Sequence, residues 1–271
     1  MALIIFTDLD GTFLNQDDYQ YQAAIPMVEK LKKQQIPIVP VTSKTRQEVE
    51  TLRGDLDLKD PFIVENGSGA FVPIDHDRFA IPDRNAKEYY LELFGCDYAK
   101  AREGLKQVGE SLGEDLRGFA DLSDEELQQL TGLSLDEVKQ AKTREFTEPF
   151  LTPRNISPEK LRATVANFGF RVVVGDRFSH LIWKDAGKGK AAKWLEQQYL
   201  IKSGIDKVVT VGLGNSPNDL DMLEVVDYPI IVPGKNGPHS GLVGRGWEVA
   251  SAPGSQGWAI AVETIYDRFV V

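Results

Sequence analysis

The stretch Asp8-Leu9-Asp10-Gly11-Thr12 follows a short apolar run, 3–7, that is typical of a buried strand. In open α/β sheets, ligands bind beyond the carboxyl ends of the strands, which is where this stretch would lie. Two neighbouring carboxylates can divide the work of a reaction, since one attacks or binds a metal while the other handles protons. Gly11 permits the turn that would bring both carboxylates to one pocket. The stretch therefore predicts a catalytic loop on an α/β fold.

Short apolar runs alternate with amphipathic stretches on both sides of the chain, which is the pattern of a parallel sheet with crossover helices. The predicted strands are 3–7, 36–41, 62–64, 207–211 and 229–232. The predicted helices are 24–34, 44–53, 191–199 and 218–225. This part of the chain therefore predicts an α/β fold with a parallel sheet.

The central part of the sequence has a different character. It contains polar helices with N-caps at Ser123, Ser134 and Ser157, and the last of these is followed by a proline at the first helical position. Strand-like segments at 144–151, 171–174 and 178–183 lie between or after these helices. We expect residues 76–184 to form an α+β domain that is inserted into a discontinuous core of residues 1–75 and 185–271.

Composition excludes several classes of protein. The 271 residues include 31 Lys and Arg against 41 Asp and Glu, a net charge of −10. Nucleic acids and anionic membranes select for clustered positive charge, so neither is expected as a partner. No apolar run is long enough for a transmembrane helix, and no targeting segment is visible. The single cysteine, Cys96, cannot form an internal disulfide, which favours a cytoplasmic location.

Polar residues also follow other predicted strands or precede helices. Thr42 stands just ahead of a helix, where a hydroxyl and backbone N–H groups suit a phosphate, although threonine is also an ordinary helix cap. Lys188 precedes a late helix, where its ammonium would offset negative charge, although it can equally belong to a solvated face with Lys190. The run 212–219 follows a late strand and contains Asn215 and Asp219.

Taken in order, these segments resemble the four signatures of haloacid-dehalogenase-type phosphatases, which have a Rossmann-like core. The resemblance implies that Asp8 is the nucleophile and Asp10 the general acid and base. It assigns the phosphate contact to Thr42, with Ser43 as the near alternative, and the charge-offsetting role to Lys188.

The resemblance also implies a Mg²⁺ site, formed by Asp8, the backbone carbonyl of Asp10, Asn215 and Asp219. Members of the family generally have Asp where this chain has Asn215. An amide oxygen can bind a hard cation but brings no formal charge, so we expect weaker Mg²⁺ binding. A second interpretation is that the residue was altered to trap a ligand.

The inserted segment resembles the C2B cap of the subclass IIB phosphatases, and within them the mannosyl-3-phosphoglycerate phosphatases. The matching stretches are 40–48, 62–69, 121–134, 144–150 and 175–180. For the substrate, the resemblance implies contacts from Ser43, Lys44, Glu65, Asn66, Gly67, Arg144, Glu148, Arg177 and His180.

The chemistry of these residues suits a doubly anionic sugar ligand. Arg144 and Arg177 can each bind the glycerate carboxylate in a forked geometry. Glu65, Asn66, Glu148 and His180 can bond sugar hydroxyls. Arg144 can equally belong to a surface ion pair, and His180 can be a satisfied histidine of a strand.

We therefore expect a Mg²⁺-dependent phosphatase that converts mannosyl-3-phosphoglycerate to mannosylglycerate and phosphate through an aspartyl-phosphate. The alternatives are a phosphatase for glucosyl-3-phosphoglycerate, sucrose phosphate or another sugar phosphate, or a catalytically weak protein that binds a phosphosugar. The expected partner is a small anionic phosphosugar, and the sequence leaves the oligomeric state open.

Overall fold

The computed structural model describes residues 2–81, 88–174 and 177–270. Its strands are β1 (Leu3–Thr7), β2 (Ile38–Pro40), β3 (Phe62–Val64), β4 (Gly69–Pro73), β5 (Tyr89–Leu93), β6 (Glu148–Leu151), β7 (Phe170–Val173), β8 (Phe178–Trp183), β9 (Val209–Gly214), β10 (Tyr228–Ile231) and β11 (Glu248–Val249). Its helices are α1 (Ile25–Lys33), α2 (Arg46–Asp55), α3 (Tyr98–Leu112), α4 (Asp124–Thr131), α5 (Leu135–Ala141), α6 (Pro158–Asn167), α7 (Lys188–Ser203), α8 (Leu220–Leu223) and α9 (Gly254–Phe269).

A five-stranded parallel sheet with the order β11-β10-β9-β1-β2 forms the centre of the fold. All five residues of β1 are buried, which explains its uninterrupted apolar sequence. A single bridge between Val41 and Ile63 extends the sheet to β3, which pairs with β4 and β5 in antiparallel fashion. The predicted α/β fold is confirmed.

Helices cover both faces of the central sheet. Leu3 and Ile5 face a core that includes residues of α1, α2 and α9. Ile4 and Phe6, the alternate residues of β1, face a second core with α7 and α8. This alternation follows from the two-residue period of a strand, and it makes this part of the fold three layers thick.

The inserted segment has its own sheet and its own core. Strands β6, β8 and β7 form an antiparallel sheet, and residues of α3 and α6 share a core with it. The predicted caps Ser123 and Ser134 each form a capping box with the glutamate three residues on, and Ser157 caps α6. The sequence thus located the starts of these three helices.

Several expectations about local structure were wrong. Residues 144–147 belong to a loop, and the strand begins only at Glu148. The predicted helix 218–225 is a 3₁₀ turn followed by the four-residue α8. The division of the chain into core and inserted domain stays a prediction. Because β5 pairs with β4, the structure favours a first boundary between β5 and α3 rather than at residue 76.

Within the described ranges, no helix combines the length and the hydrophobicity that crossing a bilayer requires.

Candidate active site

The carboxyl ends of four strands and the start of one helix meet at one edge of the central sheet. Asp8 follows β1 and Thr42 follows β2. The loop 65–67 follows β3, and Asn215 follows β9. Lys188, the first residue of α7, completes the group. Parallel pairing of β9, β1 and β2 aligns these ends, as the sequence predicted.

Lys188 connects two carboxylates at the centre of the site. Its Nζ lies 2.7 Å from Oδ1 of Asp8 and 2.6 Å from Oδ1 of Asp219, and its side chain is 1% exposed. The other oxygen of Asp8 accepts a hydrogen bond of 3.2 Å from the Thr12 hydroxyl. Lys188 is therefore not part of a solvated face with Lys190, which is exposed.

The charges of this group are not balanced. Burial and the charge of Asp219 raise the pKa of Asp8 to about 7, against the opposing effect of Lys188. Burial alone would lower the pKa of Lys188, but Asp219 and Asp8 raise it above its usual value. One ammonium thus offsets two buried carboxylates incompletely, and the site has room electrostatically for a further positive charge.

The turn that carries Asp10 packs against the loop after β9. Gly11 has a φ of 77°, and a Cβ atom there would collide with Nδ2 of Asn215. Asp219 orients this loop, because its Oδ2 accepts hydrogen bonds from the backbone N–H groups of Asn215 (2.9 Å) and Ser216 (3.1 Å). Asp10 itself is partly exposed and lies beside Lys44, whose Nζ is 3.2 Å from its Oδ1.

The predicted ligands suit a hard cation in type but include few free carboxylates. Asp8, the Asp10 carbonyl, Asn215 and Asp219 offer only oxygen atoms, which is the chemistry that Mg²⁺ prefers. Among residues 2–81, 88–174 and 177–270, no group of three or more His, Cys, Asp or Glu side chains has the arrangement of a metal site. The observation that fits a cation is that two buried carboxylates, Asp8 and Asp219, share the single ammonium of Lys188.

Thr42 and the loop 65–67 are in contact, because the backbone N–H of Asn66 donates to the Thr42 carbonyl at 2.8 Å. The hydroxyl of Thr42 accepts the backbone N–H of Lys44 at 3.1 Å, which is compatible with the same hydroxyl donating to a phosphate. Asn66 accepts a hydrogen bond from Nδ2 of Asn218 at 3.2 Å. Gly67 has a φ of 83° and packs against the backbone of Gly187, where a side chain would collide.

Glu65 joins the core to the inserted segment. The side chain is completely buried, and its Oε1 accepts the backbone N–H of Glu145 at 2.7 Å. Its Oε2 accepts the backbone N–H groups of Phe146 (3.3 Å) and Thr147 (2.8 Å) and the Thr147 hydroxyl (2.7 Å). Because both oxygens are occupied, we no longer expect Glu65 to bond sugar hydroxyls.

Two more predicted substrate contacts have internal partners. Arg144 is buried, donates to the Ser43 carbonyl at 3.0 Å and to the Thr147 hydroxyl at 3.1 Å, and lies 3.5 Å from Glu65. Arg144 is thus not a surface residue paired with Glu145. Glu148 is buried beneath α3, where its Oε1 accepts from Ala120 and Arg102, and burial raises its pKa. Both residues organise the inserted segment and its contact with the core.

Two further predicted contacts are His180, on β8, and Arg177, which directly precedes that strand. His180 on β8 is electrically neutral, because burial and the charges of Arg144 and Lys188 lower its pKa to about 3.

Arg177 is exposed and lines a cavity of about 440 Å³ with Tyr19, Thr131, Arg154 and Phe178. Of the matching stretch 175–180, residues 175 and 176 lie outside the described residues. The cavity brings core and inserted residues together beside Tyr19, and the ring of Tyr19 lies 5.3 Å from Nζ of Lys44.

Sequence reasoning missed three residues at the site. Thr12 was quoted only as part of the first motif, although it bonds Asp8. Glu48 forms a capping box with Thr45, a pattern that is visible in the sequence, and also holds Lys44 at 3.3 Å. Arg154 comes near Arg177 only through the folding of the inserted sheet, so no sequence signal could have identified it.

Replacing Glu65 with glutamine tests the contact between core and inserted segment. A neutral amide cannot accept all four hydrogen bonds, and it removes the counter-charge of Arg144. We expect Glu65→Gln to lower the free energy of unfolding by about 2–4 kcal/mol, measured by urea denaturation.

Glu145→Gln is the matched control for this variant. It removes a partly exposed ion pair with Arg46 but leaves its backbone N–H bound to Glu65, so it should cost about 1 kcal/mol or less. Equal urea midpoints for the two variants would contradict the importance assigned to the Glu65 carboxylate.

Comparison with known proteins agrees with this geometry. Residues 5–90 match the family model of haloacid dehalogenase-like hydrolases. The chain is 39% identical over 256 residues to a glucosyl-3-phosphoglycerate/mannosyl-3-phosphoglycerate phosphatase from Persephonella marina, covering 94% of each chain. It is 35% identical over 232 residues to a mannosyl-3-phosphoglycerate phosphatase from Pyrococcus furiosus, covering 86% of this chain and 91% of the relative.

The fold is also shared with solved structures. The sucrose-phosphatase from Synechocystis, solved with sucrose and phosphate, superimposes with a TM-score of 0.64 over the full length of both chains at 15% identity. The chain therefore belongs to the haloacid dehalogenase-like hydrolases. Within that family it is a phosphoric monoester hydrolase that resembles the mannosyl-3-phosphoglycerate phosphatases.

Proposed function

We propose that this phosphatase hydrolyses mannosyl-3-phosphoglycerate to mannosylglycerate and phosphate, with Mg²⁺ as its cofactor. The observation that carries the proposal is the buried ammonium of Lys188 between Asp8, which follows β1, and Asp219. The names of the relatives from Persephonella marina and Pyrococcus furiosus support a sugar 3-phosphoglycerate as the substrate.

The reaction would proceed in two steps. A carboxylate oxygen of Asp8 attacks phosphorus and forms an aspartyl-phosphate, while Asp10 gives a proton to the leaving glycerate oxygen. Asp10, now deprotonated, takes a proton from water, which attacks the phosphorus and restores the Asp8 carboxylate. Lys188 and the Thr42 hydroxyl would offset charge on the phosphoryl oxygens as it develops.

Asp8, the backbone carbonyl of Asp10, Asn215 and Asp219 would hold Mg²⁺. When bound, the cation would supply charge stabilisation for the phosphoryl group. Its support is the arrangement of two buried carboxylates, Asp8 and Asp219, around the single ammonium of Lys188.

The residue at position 215 provides a test of the metal proposal. Asn215→Asp would add a carboxylate to the ligand set, so it should lower the Mg²⁺ concentration for half-maximal activity by about tenfold. The readouts are a Mg²⁺ titration of phosphate release and direct calorimetric binding of Mg²⁺. Asn236→Asp, at an exposed position after β10, introduces the same charge as a control. Identical metal dependence in Asn215→Asp and the parent would refute the role of Asn215.

Fewer observations support the identity of the sugar than support a phosphate ester as the substrate. Asn66, His180 and Arg177 stay as proposed contacts, whereas Glu65 and Glu148 are occupied by protein groups. Mannose and glucose differ in the configuration of one hydroxyl, and the relative from Persephonella marina carries both names. Glucosyl-3-phosphoglycerate is therefore the second candidate substrate.

A substrate panel decides among these activities. We would measure phosphate release from mannosyl-3-phosphoglycerate, glucosyl-3-phosphoglycerate, sucrose phosphate and mannose phosphates, with Mg²⁺ and with a chelator. The proposal expects the highest kcat/KM for the mannosyl ester and dependence on Mg²⁺. A higher kcat/KM for sucrose phosphate, or turnover that is unaffected by the chelator, would overturn it.

A further inference from the structure

The resemblance implies that Lys44 contacts the substrate, but the proposed chemistry does not say which group of the substrate it binds. Its side chain is 17% exposed, and its Nζ lies 3.2 Å from Oδ1 of Asp10 and 3.3 Å from Oε1 of Glu48. The aromatic ring of Tyr19 covers it at 5.3 Å. A partly buried cation thus lies beside the proposed acid and base, although neither the metal site nor the phosphate contact requires it.

The local structure holds this ammonium in place. Glu48 is fixed by the capping box of α2, because its Oε2 accepts the backbone N–H and the hydroxyl of Thr45. Asp10 and Glu48 supply two counter-charges for the ammonium of Lys44, and Glu48 keeps it beside Asp10.

The geometry of the substrate brings an anion to this point. To protonate the leaving group, Asp10 must approach the ester oxygen to hydrogen-bonding distance, about 2.6–3.2 Å. In an ester of 3-phosphoglycerate, the carboxylate is separated from that oxygen by only two carbon atoms. An ammonium that already touches Asp10 is within reach of this carboxylate.

The two arginines that the sequence suggested for the carboxylate are less well placed. The guanidinium of Arg144 is bound to Ser43, Thr147 and Glu65. Arg177 is exposed in the cavity that contains Tyr19, whereas Lys44 lies beneath the ring of Tyr19 and next to Asp10.

We propose that Lys44 binds the glycerate carboxylate and so determines the preference for esters of 3-phosphoglycerate. The inference rests on the proposed function and names the group that recognises its substrate. On binding, the ammonium exchanges Oδ1 of Asp10 for the substrate carboxylate and keeps its contact with Glu48. A substrate without the carboxylate offers this ammonium no replacement for Asp10. The protein therefore discriminates against such a substrate.

The test compares two substrates that differ only in this group. These are mannosyl-3-phosphoglycerate and its analogue in which the carboxylate is reduced to an alcohol. We expect the parent protein to prefer the carboxylate substrate by about 100-fold or more in kcat/KM, because the carboxylate forms a desolvated charge pair with Lys44 that the alcohol cannot form. In Lys44→Met the preference should fall to about tenfold or less, mainly through the KM of the carboxylate substrate.

Two further variants make the result specific. Lys193→Met removes a more exposed lysine that pairs with Glu196 on α7 and should leave the preference unchanged. Lys44→Arg retains the charge and should keep most of the preference for the carboxylate substrate. This variant tests the inference even if Lys44→Met does not fold.

The possible outcomes are distinct. If Lys44→Met lowers kcat/KM equally for both substrates, or if Lys44→Arg loses the preference as completely as the methionine variant, Lys44 only positions Asp10 and the inference is overturned. If the parent protein hydrolyses neither substrate but does hydrolyse another sugar phosphate, the proposed function itself has failed.

Discussion

Asp8→Asn should abolish turnover while leaving the protein folded. An amide cannot form the acyl-phosphate bond, so we expect kcat to fall by about 10⁴-fold or more. Asn retains an oxygen that can accept from Lys188, and it removes a charge that burial disfavours. The readouts are phosphate release and, after acid quenching, the amount of radiolabelled phosphate attached to the protein.

Asp10→Asn is the comparison for this variant. Turnover by Asp10→Asn should also be slow. Because its nucleophile, Asp8, is intact, labelled phosphate should accumulate on the protein while phosphate release is impaired. Equal labelling of the parent and Asp8→Asn, or more than about 1% of parental activity in Asp8→Asn, would contradict the assignment of the nucleophile.

Replacing Lys188 with methionine is the second change with a large expected effect. The variant keeps the volume of the buried stem but removes the positive charge between Asp8 and Asp219. We expect kcat to fall by about 10²–10³-fold, the loss typical of removing one group that stabilises transition-state charge. Lys190→Met, two residues later on the same helix, changes an exposed lysine that bonds the Asp185 carbonyl and should have little effect.

The same variant should change the pH dependence of stability in the metal-free protein. In the parent, the pKa of Asp8 is raised from 3.8 to about 7 on folding, so the folded state binds this proton more tightly than the unfolded state. The resulting contribution to stability is complete below about pH 4 and is lost as the pH rises to about 7.

Because Lys188 lowers the pKa of Asp8, its removal should extend this loss to higher pH. Urea denaturation at several pH values measures the effect. A stability profile of Lys188→Met that is parallel to that of the parent up to pH 9 would show that the two groups do not interact as described.

The sequence predicted the central strands of this fold better than its peripheral strands and helices. Strand β1 is buried on both faces and therefore reads as an uninterrupted apolar run, with the catalytic carboxylates at its end. The pairing of β5 with β4 and the short β11 were not predicted, because their stability comes from contacts with distant segments. The bounds of helix α9 were not predicted; it begins at Gly254, where a Cβ atom would meet Asn15 from the other end of the chain.

The positions of some site residues likewise follow from the local sequence, whereas those of others depend on contacts with distant segments. Sequence motifs located Asp8, Asp10, Lys188 and Asp219, which lie at the ends of regular elements. Residue type alone could not distinguish a side chain that faces a ligand from one that bonds the protein. Glu65 and Arg144 have suitable chemistry for a sugar or a carboxylate, yet the fold commits both to the contact between core and inserted segment.

The bonds of Glu65 also bear on how such a protein can change during evolution. Three of its four hydrogen-bond donors are main-chain N–H groups, of Glu145, Phe146 and Thr147, which every amino acid except proline possesses. Phe146 is buried against Phe71, but the partly exposed side chain of Glu145 can vary without loss of the attachment. Mutations there can accumulate and alter the surface of the inserted segment without detaching it, so the core can preserve one chemistry while its lineage explores new substrates.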